Sequence, residues 1–134
     1  MNKILKYIFN WGPPLIMMCV IFFLSSRTRL TISGESQTDF LLFKTAHLIE
    51  YAILYFFIFR AFFSLHPKQK FQTNIAIQAL VIAVLYAMSD ELHQTFVPTR
   101  EGTLRDVLID ALGICIMFSY IKYNITLIKK TIWL

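Results

Sequence analysis

The side chains able to do chemistry sit where an apolar chain should have none. Lys44, His47, Glu50 and Tyr51 open an otherwise greasy stretch at spacings of three, six and seven. On a helix, Lys44, His47 and Tyr51 then share a face, with Glu50 close by. Glu50 falls about one and a half turns inside the stretch, where an ionised carboxylate in a membrane costs several kcal/mol unless it is paired. A second group, Ser89-Asp90-Glu91-Leu92-His93-Gln94, ends another apolar run. There Asp90 can meet Gln94, and His93 can meet Asp90 or Glu91. Four polar residues in five positions cover more than half the helix circumference, which leaves room for Glu91 on a different face from Asp90 and Gln94. Carboxylates at the end of a helix oppose its dipole, so these acids need another partner. Beyond Pro98 come Arg100, Arg105 and Asp106, then Asp110 one turn on and stacked against Asp106. Gly113, a further turn along, suits close helix contact.

A carboxylate beside an imidazole is the pairing that general acid and base catalysis needs, and Asp90 or Glu91 with His93 or His47 are the candidates, Glu50 being a further carboxylate. Lys44, Arg100 and Arg105 suit phosphate oxygens, the arginines bidentately. Tyr51 and Gln94 would add polar contacts to a bound group. A divalent metal bridging Asp90, His93, Asp106 and Asp110 is an open alternative. The chain carries no zinc-protease ligand spacing, no Gly-rich phosphate loop and no nucleophilic Ser or Cys setting. Cys19 and Cys115 each fall within an apolar stretch and are expected to be buried as small hydrophobes rather than bridged.

Positioning these groups falls to four apolar segments, roughly 7–24, 45–63, 74–88 and 104–123, and at ~1.5 Å rise per residue most can cross a hydrocarbon core of ~30 Å. The third is expected to continue as helix to about residue 96, where Pro98 ends it. The expected fold is an all-α, four-helix transmembrane bundle in a single domain over 1–134. Pro13 and Pro14 fit either a first turn or a kink. Residues 25–43 are expected to form a polar outer loop, 64–73 a short basic inner one.

Composition agrees. Of 134 residues, 57% are hydrophobic and 16% charged, with thirteen Phe. A soluble domain averages about 45–50% apolar and roughly a quarter charged, so this balance excludes a disordered chain and an ordinary nucleic-acid-binding protein. The net charge of +5 is scattered along the chain rather than gathered in a tail. With the N-terminus inside, the inner side holds Lys3, Lys6, Arg60, Lys68, Lys70, Lys122, Lys129 and Lys130, against Arg27, Arg29, Lys44, Arg100 and Arg105 outside. That excess predicts four spans with both termini cytoplasmic. Seven of the eight acidic residues then belong to the outer loops or adjoining helix ends, with Asp110 deeper, and the cytoplasmic half holds no carboxylate side chain. The exit from the first segment, Leu24-Ser25-Ser26-Arg27, lacks the small-x-small pattern of a cleaved signal peptide.

Several of these pieces recur together in one family. Ile21-Phe22-Phe23-Leu24-Ser25-Ser26, Lys44-Thr45-Ala46-His47-Leu48-Ile49-Glu50-Tyr51, the run from Ser89 to Arg100 and the run from Asp106 to Gly113 stand in family order across nearly the whole chain. In them the chain resembles the VanZ-like family of small bacterial membrane proteins. It departs from the family pattern in three places. Thr99 stands where a Gly often precedes the Arg of the proline turn, Asp110 where Asn is frequent, and a second Gly after Gly113 is missing, with Met117 nearby. The resemblance implies an integral protein of the bacterial cell membrane, linked to the cell envelope, with a founding member associated with resistance to the glycopeptide antibiotic teicoplanin.

Pairing among the charged groups makes their burial affordable. Buried ion pairs are a poor route to stability, so intramembrane charge of this density points to a functional site. The leading expectation is an envelope-facing site that binds or modifies a phosphorylated or glycosylated lipid, such as a lipid-linked cell-wall precursor. One alternative is a non-enzymatic membrane module that masks or reorganises surface targets. Another is an ion-coupled carrier using Glu50 and Asp110 as relay groups, for which four spans are few unless the protein oligomerises. The residues are compatible with an enzyme and with binding alone.

Overall fold

A computed structural model describes residues 3–28, 36–65 and 71–132. It contains four helices, α1 (Lys3–Ser25), α2 (Ser36–Phe63), α3 (Thr73–Gln94) and α4 (Leu104–Ile132). α2 is the central element: it packs on each of the other three, most extensively on α4, whereas α1 touches α3 only lightly.

Buried positions on α2 recur at helical spacing, with Tyr51, Leu54, Tyr55, Ile58, Phe59 and Phe63 forming the stripe that fills the core. α3 answers with small residues. Ala76, Ala79, Ala83 and Ala87 are all fully buried, and small side chains let helix backbones approach closely where lipid offers no hydrophobic drive. Two tyrosine hydroxyls tie the layers together: Tyr55 donates to the carbonyl of Ala76 at 3.3 Å and Tyr86 to that of Met18 at 2.6 Å. The outward surface is apolar along every helix, with Leu15, Phe22, Leu41, Leu85 and Ile116 among the exposed residues. An apolar exterior around buried charge is the arrangement that a lipid solvent favours.

Three helices, Ile4–Ser25, Gln37–Phe63 and Thr73–Gln94, are long and apolar enough to cross a membrane. α4 is not among them. Its straight part carries Arg105, Asp106, Asp110 and Lys122, and its backbone leaves helical geometry at Asn124, with φ −115° and ψ 18°.

Three expectations need correcting, and one open alternative is decided. α2 begins at Ser36, so residues 36–44 are helix rather than loop; Asp39 in the first turn complements the helix dipole there. α3 ends at Gln94, and residues 95–100 turn back on themselves ahead of α4. The open alternative is the placement of Pro13 and Pro14, which lie in the interior of α1 rather than in its first turn, and the helix continues through them. Cys19 and Cys115 are free and exposed, on the outward apolar surface.

Candidate functional site

The polar residues converge at the end of the bundle where the last turn of α1, the first half of α2, the last turns of α3 and the start of α4 meet. The alanine stripe of α3 runs straight into this region: the buried face of that helix continues from Ala87 to Asp90, Glu91 and Gln94. Asp90 and Glu91 therefore both point inward. Gln94 joins them, its amide nitrogen donating to Asp90 Oδ2 and to Glu91 Oε1, each at 3.0 Å.

α1 and the turn before α4 complete the holding of these acids. Ser25, fully buried, donates its hydroxyl to Asp90 Oδ2 at 2.8 Å. The backbone N–H of Thr103 donates to Glu91 Oε2 at 3.3 Å, and the Thr103 hydroxyl accepts the N–H of Asp106 at 3.3 Å, an N-cap for α4. Gly102 permits this approach, because a Cβ there would run into the backbone carbonyl of Glu91. Gly113 serves the same purpose deeper in the bundle, where a Cβ would strike the carbonyl of Leu48 and push α4 off α2.

The loop after α3 closes through Arg100. Its backbone N–H bonds the carbonyl of Val97 at 3.1 Å, with Pro98 second and Thr99 third in the turn. Thr99 sits at φ 68°, a left-handed conformation that glycine adopts most easily, as in the third position of a type II turn. The guanidinium of Arg100 donates from Nε to the carbonyl of Arg27 at 2.8 Å and from one terminal nitrogen to that of Leu24 at 2.9 Å. It thus adds to the capping of the end of α1, where the Arg27 N–H also reaches the Leu24 carbonyl at 3.3 Å.

Lys44 is committed to Asp106, at 2.7 Å from Oδ2, with both side chains almost wholly shielded. His47 Nδ1 lies 3.8 Å from Glu50 Oε2 and 3.9 Å from Asp110 Oδ1, too long for hydrogen bonds. His47 Nδ1, Asp90 Oδ1, Asp106 Oδ1 and Asp110 Oδ2 are buried without a hydrogen-bond partner. A cleft of about 320 Å³ opens beside them, lined by Leu24, Arg27, Thr28, Phe43, Ala46, His47, Glu50 and Arg100. Its lining combines apolar side chains with cationic and titratable ones.

Not every expected residue reaches the cleft. Tyr51 is fully buried, its ring 6.4 Å from that of His47 and nearly parallel to it. Gln94 bridges the two acids from inside. Arg105 is 66% exposed, 4.9 Å from the Phe40 ring and 3.7 Å from Asp106 Oδ1, and is not one of the residues lining the cleft. His93 stacks on Phe22 and lies 3.0 Å from the hydroxyl of Ser26. Among the described residues, the compact donor group is His47, Asp90 and Glu91, whose ligating atoms lie within 4.8 Å of one another. That group differs from the set of Asp90, His93, Asp106 and Asp110 expected from sequence, since Asp106 is taken by Lys44 and His93 by α1.

Sequence reasoning passed over Ser25, Arg27 and Thr103. The first two belong to α1 and its exit, whose proximity no spacing rule reveals. A signal for the inward aim of both acids did exist in the spacing of Ala76, Ala79, Ala83 and Ala87, which extends in register to residues 90, 91 and 94.

The family model described as VanZ/LLP1 matches residues 11–128. No curated protein and no solved structure matches the chain. The chain belongs to the VanZ/LLP1 family.

Proposed function

From membership of that family and the shape of the cleft, we propose that this is a four-span protein of the bacterial cell membrane, both ends cytoplasmic, whose outward-facing cleft binds the phosphate-bearing headgroup of an envelope lipid or lipid-linked precursor. The observation that carries the reading is the mixed lining of the cleft: Leu24, Phe43 and Ala46 are apolar, while Arg27, Arg100, His47 and Glu50 are cationic or titratable. A lipid phosphate joins the same two characters in one molecule. Guanidinium groups engage phosphate oxygens through charge-assisted, paired hydrogen bonds. Glu50, which lines the cleft beside His47, is a carboxylate able to exchange a proton with a bound group.

At family level the connection is to glycopeptide resistance, and a site that captures or alters a cell-wall lipid would act on the material such antibiotics recognise. The non-enzymatic alternative uses the same cleft without proton exchange. Protein reconstituted in neutral-lipid vesicles separates the readings. A long-chain polyprenyl phosphate should bind more tightly than the phosphate-free polyprenol, and Arg27→Ala with Arg100→Ala should remove the difference. Equal binding of phosphate and alcohol by the native chain sinks the headgroup reading. Release of inorganic phosphate that is lost in Glu50→Gln would mark an enzyme; binding without any release leaves a capture module.

A further inference from the structure

We propose that His47, Asp90 and Glu91 hold a divalent first-row cation beside the headgroup cleft. The three donors come from two helices, all are buried, and their ligating atoms already lie within 4.8 Å of one another. Asp90 is only 3% exposed, yet its Oδ1 has no hydrogen-bond partner, and the buried Nδ1 of His47 has none either.

The arrangement around the acids is that of ligands held from behind. Ser25 and Gln94 both bond Asp90 Oδ2, which leaves Oδ1 for something else. Gln94 and the Thr103 N–H fix Glu91 beside it. Outer partners of this kind orient metal-binding carboxylates.

Charge accounting points the same way. Asp90, Glu91, Asp106 and Asp110 are all buried, whereas Lys44 is the one buried Lys or Arg among the described residues and is committed to Asp106. Like charges packed together away from water are costly without a counter-ion. A cation bound by one imidazole and two carboxylates supplies it. That donor set, lacking thiolate, suits Mn²⁺ or Zn²⁺ rather than a soft monovalent ion. The inference deepens the headgroup reading and rests on it only for the cation's use, which would be to bridge the acids to a phosphate oxygen.

The test uses the full chain purified in detergent, stripped with EDTA and titrated with Mn²⁺, bound ion being read by electron paramagnetic resonance and by elemental analysis. Saturable binding competed by Zn²⁺ is expected, with a nitrogen coupling from coordinated imidazole in the pulsed spectrum. Asp90→Asn and His47→Gln should weaken binding more than about tenfold, and Ser25→Ala, a positioning change, about tenfold. The nitrogen coupling should vanish in His47→Gln and persist in His93→Gln. Failure of the native chain to take up Mn²⁺ or Zn²⁺, or Mn²⁺ bound without nitrogen coupling, overturns the proposal without requiring that any variant fold. Failure of the headgroup reading looks different: Mn²⁺ binds as expected while the polyprenyl phosphate binds no better than the alcohol.

Discussion

Ser25 and Asp90, 65 positions apart in sequence, share a buried 2.8 Å hydrogen bond that ties the last turn of α1 to the last turns of α3. A hydrogen bond to a charged acceptor contributes about 1.5–3 kcal/mol. Ser25→Ala is therefore expected to lower the thermal unfolding midpoint in detergent. Ser89→Ala, whose exposed hydroxyl bonds only the carbonyl of Tyr86 within its own helix, should change it little. Equal effects of the two substitutions would show that the inter-helix bond contributes nothing.

The pairing of Lys44 with Asp106 is the best-formed ion pair in the site. Removing one partner of a buried pair strands the other and costs about 3–5 kcal/mol. Lys44→Met should thus be strongly destabilising, and Lys44→Met combined with Asp106→Leu should recover much of the loss. A double-mutant cycle on chemical unfolding reads this directly; additive losses would mean that the two side chains are not coupled.

Two glycines make contrasting predictions. Gly113→Ala drives a methyl group into the Leu48 carbonyl and should cost about 1–3 kcal/mol through overpacking. A Cβ at Gly12 would meet nothing within 4 Å. Gly12→Ala should accordingly disturb no helix contact, its gain in helix propensity being offset by the crowding of the new Cβ against the ring of Pro13 and its net effect staying small. Thermal unfolding of the two variants side by side checks the close approach of α2 and α4.

The proposed topology puts the turn before α4 outside the cell and the end of α2 inside. With Cys19 and Cys115 changed to Ser, Glu101→Cys should react with a membrane-impermeant thiol reagent in intact cells. Leu65→Cys, at an exposed position past the end of α2, should react only after permeabilisation. The reverse pattern would move the cleft to the cytoplasmic face and detach it from envelope chemistry.

Hydropathy made the helical bundle legible, because runs of apolar residues at helix length have few other uses. It misjudged α2, since Ser36, Gln37, Thr38 and Asp39 are polar yet already helical; hydropathy reports contact with lipid, and a helix can start before that contact does. The polar cluster was legible as a set because each charge stood out against a greasy background. Its pairing was not. Lys44 choosing Asp106, and His93 turning to Ser26 and Phe22, depend on which helix lies alongside, and spacing within one segment carries no record of its neighbours. Arg27 was counted for topology alone, although its place in the cleft comes from the end of α1 folding against α2.

Arg100 holds the carbonyls of Leu24 and Arg27 with the same side chain that lines the cleft. Any anion that recruits this guanidinium competes with the terminus of the first helix for it, so occupancy and fraying become opposite sides of one exchange. Ser25 on Asp90 and Tyr86 on the Met18 carbonyl still moor the first helix to the third, which confines that exchange to its frayed tip.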